Sequence, residues 1–495
     1  MTALILYSVH TALALALALV VALGFPSGFR RIISVGAAVL GTGAGVAVAV
    51  LGSEELVWRT TTLSSPRALI VGTAVACAWA LVGVLERARN PVAGALVGIA
   101  SSALLVSSLN DWVVPALLFW LASSVALLAL VSIDGARTGA LLAIVGSDLL
   151  VAGSFSLAAL DERVWTIPGP LSGLSLGLAV AAFVVRSGAL PRIGGWETLD
   201  SPAVPALPLL LGGSLAVLGV PLSGSGPWVA AGALGLAVAC CLISVAGITM
   251  SMAVVGAWPA WLSLGLVAAA PQSLQPIAIG VLLALTVVCL WPVTLGRARA
   301  GRGLALSLLP PSAGFVAIVT GALVAFDNAA NAESTTTSLV WSAVAALLPV
   351  VLASGIALGA RSAGRCHLRS ADPVAAAAVW ALVAIGLIIG MLPAAVLGSG
   401  EDIVGDSSKV FVLQCAALGL GMAAALIAGR KTPSREPEPG ARLEVDVGSL
   451  TYSDDRGDVA VMLGLAGLIA LSTLGAVGYL TFEGLSYGFL PPASY

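Results

Sequence analysis

The sequence predicts an all-α polytopic membrane protein, with about 14–16 transmembrane helices at roughly 20 residues each. Three observations carry this. Of 495 residues, 59% are hydrophobic and only 9% are charged, where a soluble domain carries about 25% charged residues. The mean hydropathy is +1.07. The few basic residues also segregate between alternate loops. A chain this poor in charge cannot cover a water-facing surface, which excludes a soluble enzyme, a nucleic-acid binder and a secreted disulfide scaffold.

Cutting the chain at charges and at Pro/Gly clusters leaves sixteen apolar spans. They lie near 3–24, 32–51, 68–85, 92–109, 112–132, 138–160, 170–190, 203–222, 227–248, 252–270, 275–295, 304–326, 338–360, 374–397, 409–429 and 458–482. The first has no small-residue cleavage site followed by a soluble domain, so it reads as retained. With this count Arg30, Arg31, Arg87, Arg89, Arg137, Arg192, Arg297, Arg299, Arg302, Arg361, Arg365, Arg369, Arg430, Lys431, Arg435, Arg442 and Arg456 share one side. The other side receives Arg59, Arg67, Arg163 and Lys409. Basic loops stay cytoplasmic. The expectation is a multi-pass protein of the cell (plasma or inner) membrane with both termini outside.

Short polar stretches add little chemistry. Residues 430–457, broken by Pro433, Pro437 and Pro439, read as a solvated linker. Five of the six cysteines sit in apolar runs, where Cys acts as a small hydrophobe. Cys366 and His367 are adjacent in a polar loop, and two ligands without a third make no metal site. No metal, flavin, iron–sulfur or nucleotide motif is present, so no cofactor is expected. Gly41-Thr42-Gly43-Ala44-Gly45 reads as a close-packing surface between helices.

Charge inside a membrane is expensive and marks function by default. The spans offer Asp148 in the sixth and Arg186 towards the inner end of the seventh. His10 in the first reads as a packed or snorkelling residue. Proline supplies a second signal. Pro191, Pro202, Pro205 and Pro208 follow Arg186, and Pro310-Pro311 interrupts the twelfth span. Broken helices are tolerated where freed backbone groups find neighbours or line a cavity. The seventh and twelfth spans are five apart, and an odd offset reverses topology, the trace of an inverted repeat.

The stretch VVRSGALPRIGGWETLDSPAVPALPLLL resembles the signature of the antiporter-like, proton-channel subunits of respiratory complex I. That family extends to multisubunit cation/proton antiporters and membrane-bound hydrogenases. Arg186, Pro191, Trp196, Glu197, Asp200 and Ala203 to Leu207 occupy the motif's places, with one residue inserted before Trp196. Asp148 resembles the family's Gly-Asp, and Pro310-Pro311-Ser312-Ala313-Gly314-Phe315 the break of the twelfth helix. The resemblance implies fourteen core helices with two inverted five-helix repeats and broken helices 7 and 12. It divides the chain into N-terminal helices 1–109, a first repeat 110–222, a second repeat 223–360, core helices 361–429, the linker 430–457 and a last helix 458–495.

The departures decide the function. The family passes protons by a Glu on the fifth helix, Lys on the seventh, Lys or His on the eighth, and Lys or Glu on the twelfth. Here the fifth-helix position is Leu121, and the eighth and twelfth spans hold no ionisable residue. The seventh keeps Arg186, a guanidinium that stays charged with a pKa above about 12 and cannot relay a proton. Arg186 either pairs with Asp148 across the bundle or snorkels to the cytoplasmic face. The resemblance implies a non-catalytic subunit of a redox-linked ion-translocating complex: NADH-quinone oxidoreductase-like in a respiratory chain, hydrogenase-like or antiporter-like. Its partners would be homologous membrane subunits, lipid and, through them, a soluble redox arm, with no nucleic acid. Two other classes stand behind it. A stand-alone secondary transporter needs more polar groups at the midplane. A glycosyltransferase using a lipid-linked sugar needs outer carboxylates such as Glu54-Glu55, Asp161-Glu162 or Glu401-Asp402.

Overall fold

The computed structural model describes residues 2–51, 57–58, 61–62, 65–83, 91–108, 112–133, 137–162, 166–189, 203–223, 225–245, 252–269, 278, 280–286, 289, 308 and 312–361. The chain divides into two compact units, Met1–Ala425 and Leu426–Tyr495, and all the described residues belong to the first. The expected spans at 374–397, 409–429 and 458–482 and the linker 430–457 lie outside the described residues. So do Pro191, Pro202, Pro310 and Pro311.

The described residues build helices α1 (Thr2–Ala22), α2 (Ser27–Leu51), α3 (Ser65–Leu81), α4 (Pro91–Ser108), α5 (Val113–Ser132) and α6 (Arg137–Glu162). After these come α7 (Gly173–Arg186), α8 (Ala206–Leu222), α9 (Gly226–Val245), α10 (Met252–Ala269), α11 (Ala313–Ala330) and α12 (Thr335–Arg361). A small antiparallel hairpin joins α2 to α3, with Val57 opposite Thr62 and Trp58 opposite Thr61. The fold is all-α and polytopic. Among the described residues five helices are long and apolar enough to cross a membrane, including Pro91–Ser108, Val113–Ser132 and Ala143–Leu160.

Two boundaries differ from the sequence reading. The twelfth span was expected to end at 326, but α11, which begins at Ala313, runs on to Ala330, so Asp327 stands in its last turn. A cap opens this helix. Ser312 is extended, and its side chain accepts the Phe315 N–H at 3.2 Å, which starts a new helix just after the Pro-Pro pair. The seventh span, expected at 170–190, is a helix of 14 residues that stops at Arg186.

α8 is the centre of the bundle. It packs against α3, α4, α5, α7 and α10, and all its residues except Val220 are buried. Pro205 takes the N-cap and Pro208 falls in the first turn, where a missing N–H deprives the helix of nothing. The chain entering α7 is tied to the far end of α8, since the Leu171 N–H donates to the Pro221 carbonyl at 2.9 Å. α8 contains no ionisable residue.

Lipid tails are as apolar as leucine, so helices associate through close packing and hydrogen bonds. α2 and α3 show the first. A Cβ placed on Gly45 would lie 2.6 Å from the Ala76 backbone nitrogen, and one on Gly72 would lie 2.7 Å from that of Ala49. On the same face a Cβ on Gly41 would lie 2.5 Å from the Trp79 ring. Trp79 in turn shows the second. Its indole N–H donates to His10 Nε2 at 3.1 Å, and His10 Nδ1 lies 3.0 Å from Ser102 Oγ. An indole nitrogen can only donate, so Nε2 is bare, and the neutral ring carries its hydrogen on Nδ1 towards Ser102. His10 is packed with 0% exposure and pins α1 to α3 and α4.

The close approach predicts a contrast between neighbouring glycines. Gly45→Ala should destabilise the chain by about 1–3 kcal/mol through overpacking. Gly43→Ala, with open space around its Cβ position, should leave stability unchanged or slightly raised. Thermal unfolding of both variants in detergent checks the pair.

Candidate functional site

Three helices bring the intramembrane charges together. Asp148 sits mid-way along α6. Trp120 and Ser124 lie four residues apart on α5, hence on one face of it. Arg186 is the last residue of α7. There the Ser187 N–H closes on the Phe183 carbonyl at 2.9 Å, and Gly188 turns the chain with φ +87°. That backbone conformation favours glycine. The position suits a cation, because a helix C-terminus carries the negative end of the macrodipole.

The contacts converge on one oxygen. Arg186 Nη1 donates to Asp148 Oδ1 at 2.6 Å. Trp120 Nε1 donates to the same Oδ1 at 2.6 Å, and Ser124 Oγ lies 3.0 Å from it. Arg186 Nη2 donates to Ser124 Oγ at 2.8 Å. The Ser124 hydroxyl also lies 3.0 Å from the Trp120 carbonyl, so its single hydrogen is shared between two acceptors. The guanidinium carbon stacks 3.7 Å from the Trp120 ring centroid, a cation–π contact.

Burial sets the energetics. Arg186 is 2% exposed and Asp148 6%. Desolvating each ion costs several kcal/mol, and mutual attraction offsets this only with good geometry and further hydrogen bonds. Trp120 and Ser124 provide those bonds, and the helix end adds a favourable field. The guanidinium does not extend to a surface. It is held among three side chains, those of Asp148, Ser124 and Trp120, with Nε alone finding no protein acceptor.

Chemically the arrangement is a neutral ion pair with a fixed cation. Arg186 cannot give up its proton, and Asp148 is enclosed by three donors. Leu121, the residue after Trp120 on α5, is 40% exposed and makes none of the contacts of the cluster. Among the described residues no group of three His, Cys, Asp or Glu is placed to hold a metal.

Sequence reasoning singled out Asp148, Arg186 and Pro205 and missed Trp120 and Ser124. Their signal was present. A donor-only indole in the middle of a membrane helix needs an acceptor, and a serine one turn further lies beside it. Leu121 lies one residue and about 100° round the helix from Trp120.

Removing one charge should be worse than removing both. Asp148→Asn or Arg186→Met alone should destabilise the chain by about 3–5 kcal/mol, by leaving an uncompensated buried charge or its bare partner. The double variant should recover a large part of that loss. Arg186→Lys should not substitute, because an ammonium lacks the fork that reaches Asp148 and Ser124 together and stacks on Trp120. Yield and thermal midpoint in detergent, compared as a double-mutant cycle, measure the coupling.

No family model and no curated protein sequence matches the chain. Solved structures do. A chain in the structure of respiratory complex I from Thermus thermophilus with bound aureothin is 18% identical with a TM-score of 0.61, over 79% of this chain and 98% of that one. A chain in the structure of the Mrp complex from Dietzia sp. DQ12-45-1b is 14% identical with a TM-score of 0.66, over 97% of this chain and 63% of that one. The protein shares its fold with the membrane chains of these two complexes.

Proposed function

We propose that this protein is a non-catalytic integral membrane subunit of a redox-linked, ion-translocating complex, related to those of complex I, Mrp complexes or membrane-bound hydrogenases. It binds no cofactor itself. Its partners are other membrane subunits, in part homologous, and through them a soluble redox arm. It lies in the cell membrane with its Arg-rich loops cytoplasmic and both termini outside. The fold it shares with chains of two multisubunit complexes supports the assignment of partners.

One observation carries the non-conducting part of the reading: the buried charge is closed upon itself. The Asp148–Arg186 pair spends its bonds on Trp120 and Ser124. The next element inwards, α8, is buried and without an ionisable group. A proton leaving Asp148 has no titratable neighbour on that helix to receive it. Arg186 therefore acts as a static element of the bundle, holding α5, α6 and α7 in register at the place where α7 stops.

Purification from native membranes at low detergent tests the assignment. Several polytopic partners and a metal-bearing soluble arm should accompany the chain; a stable lone monomer would overturn the reading. The chain alone in proteoliposomes should pass no more protons than protein-free vesicles, read with an entrapped pH dye. Serine 124 offers a finer check. Ser124→Ala should lower the amount of assembled complex while leaving ion flux per assembled complex unchanged; a fall in flux per complex would assign the cluster to the ion path.

A further inference from the structure

The Trp120 site has an uncharged counterpart in the second half of the chain. Trp120 is the eighth residue of α5 and Trp258 the seventh of α10, and the two helices are the fifth and tenth apolar spans. That offset of five is the one that separates the two proline-interrupted spans. Both indoles are buried, at 0% and 1% exposure. Their hydrogen bonding differs. Trp120 donates to Asp148, whereas Trp258 Nε1 is fully enclosed and meets no protein acceptor. In the eleventh span stands Thr286, neutral and buried, its hydroxyl hydrogen spent on the Leu282 carbonyl at 2.7 Å.

The residue after Trp258 supplies the complementary group. Pro259 lies inside α10 and has no N–H to return to the carbonyl of Val255, one turn earlier. A helical side chain leans over the turn on its N-terminal side, which for Trp258 is the turn that holds Val255. A buried donor and a freed carbonyl thus share one turn of one helix. A buried indole N–H without an acceptor has lost its hydration with nothing in return, so the site calls for a ligand.

Charge selects the ligand. A cation would be repelled by the N–H. An anion would need a free counter-charge: of the described helices packed against α10, α8 and α9 carry no charge, Arg186 of α7 is already paired with Asp148, and α11 carries only Asp327 in its last turn. What remains is a small neutral molecule that both accepts and donates. We propose that the Trp258–Pro259 turn of α10 is a binding site for one resident water, accepting from Trp258 Nε1 and donating to the Val255 carbonyl. The second half of the chain then keeps the indole of the first and replaces its charge pair by a neutral hydrogen bond. The inference rests on the proposed function only in matching α5 with α10.

The test is a cryo-EM map of the intact complex at a resolution that shows ordered water, recorded for the native chain, Trp258→Phe and Pro259→Ala. The native map should hold water density within hydrogen-bond reach of both Trp258 Nε1 and the Val255 carbonyl. Trp258→Phe removes the donor and Pro259→Ala returns an N–H to the carbonyl, so each should lose that density. No density in the native map, or a direct bond from Nε1 to a protein carbonyl, overturns the site. So does density that survives both substitutions. Failure here leaves the proposed function standing, since co-purification is read separately. Failure of the complex to form overturns that function, and the same map of the lone chain still reports on the water.

Discussion

A single carboxylate oxygen organises the first half of this bundle. Asp148 Oδ1 gathers a guanidinium, an indole and a hydroxyl from α7 and α5. In a membrane these groups have few other places to go. Lipid supplies no hydrogen-bond partners, so helices that carry polar groups must face one another. The ion pair decides which faces of α5, α6 and α7 turn inwards, and the stop at Arg186 follows from the same demand. A helix end presents carbonyl dipoles to the cation, and the left-handed Gly188 lets the chain leave at once.

The N-terminal helices solve the same problem without charge. Trp79 lies against Gly41 of α2 and Gly98 of α4 while its N–H is held by His10 of α1. Glycines make room for the ring, and a neutral imidazole relays the hydrogen bond on to Ser102. Indoles recur as the donors in both clusters because tryptophan combines a large apolar body with one polar atom. That combination lets a side chain fill the interior of a bundle and still fix its orientation.

Much of this was legible in the sequence. Helix positions followed from apolar length and from where charges interrupt it, so α4, α5 and α6 begin and end within a residue or two of the apolar runs. Asp148 and Arg186 stood out because charge is rare at such depth. What the sequence hid was geometry at the scale of one residue. In the run FWLASS the indole of Trp120 shows that an acceptor is needed, but not that the acceptor is Asp148 on another helix, while Leu121 beside it is 40% exposed. The cap that opens α11 is a single side-chain hydrogen bond at Ser312, a detail that hydropathy does not register.

The uniform apolarity of α8 has a consequence for biogenesis. Its neighbours α3, α4, α5 and α7 precede it in the chain, but α10 follows. During synthesis α8 must therefore wait in the bilayer with part of its circumference against lipid tails before the later helix covers it. A helix with no polar face suffers nothing from that delay, since lipid and protein interior solvate it about equally well. A lysine or histidine on α8 would instead make the nascent half-bundle depend on prompt enclosure, so the present composition frees the order of insertion from the order of packing.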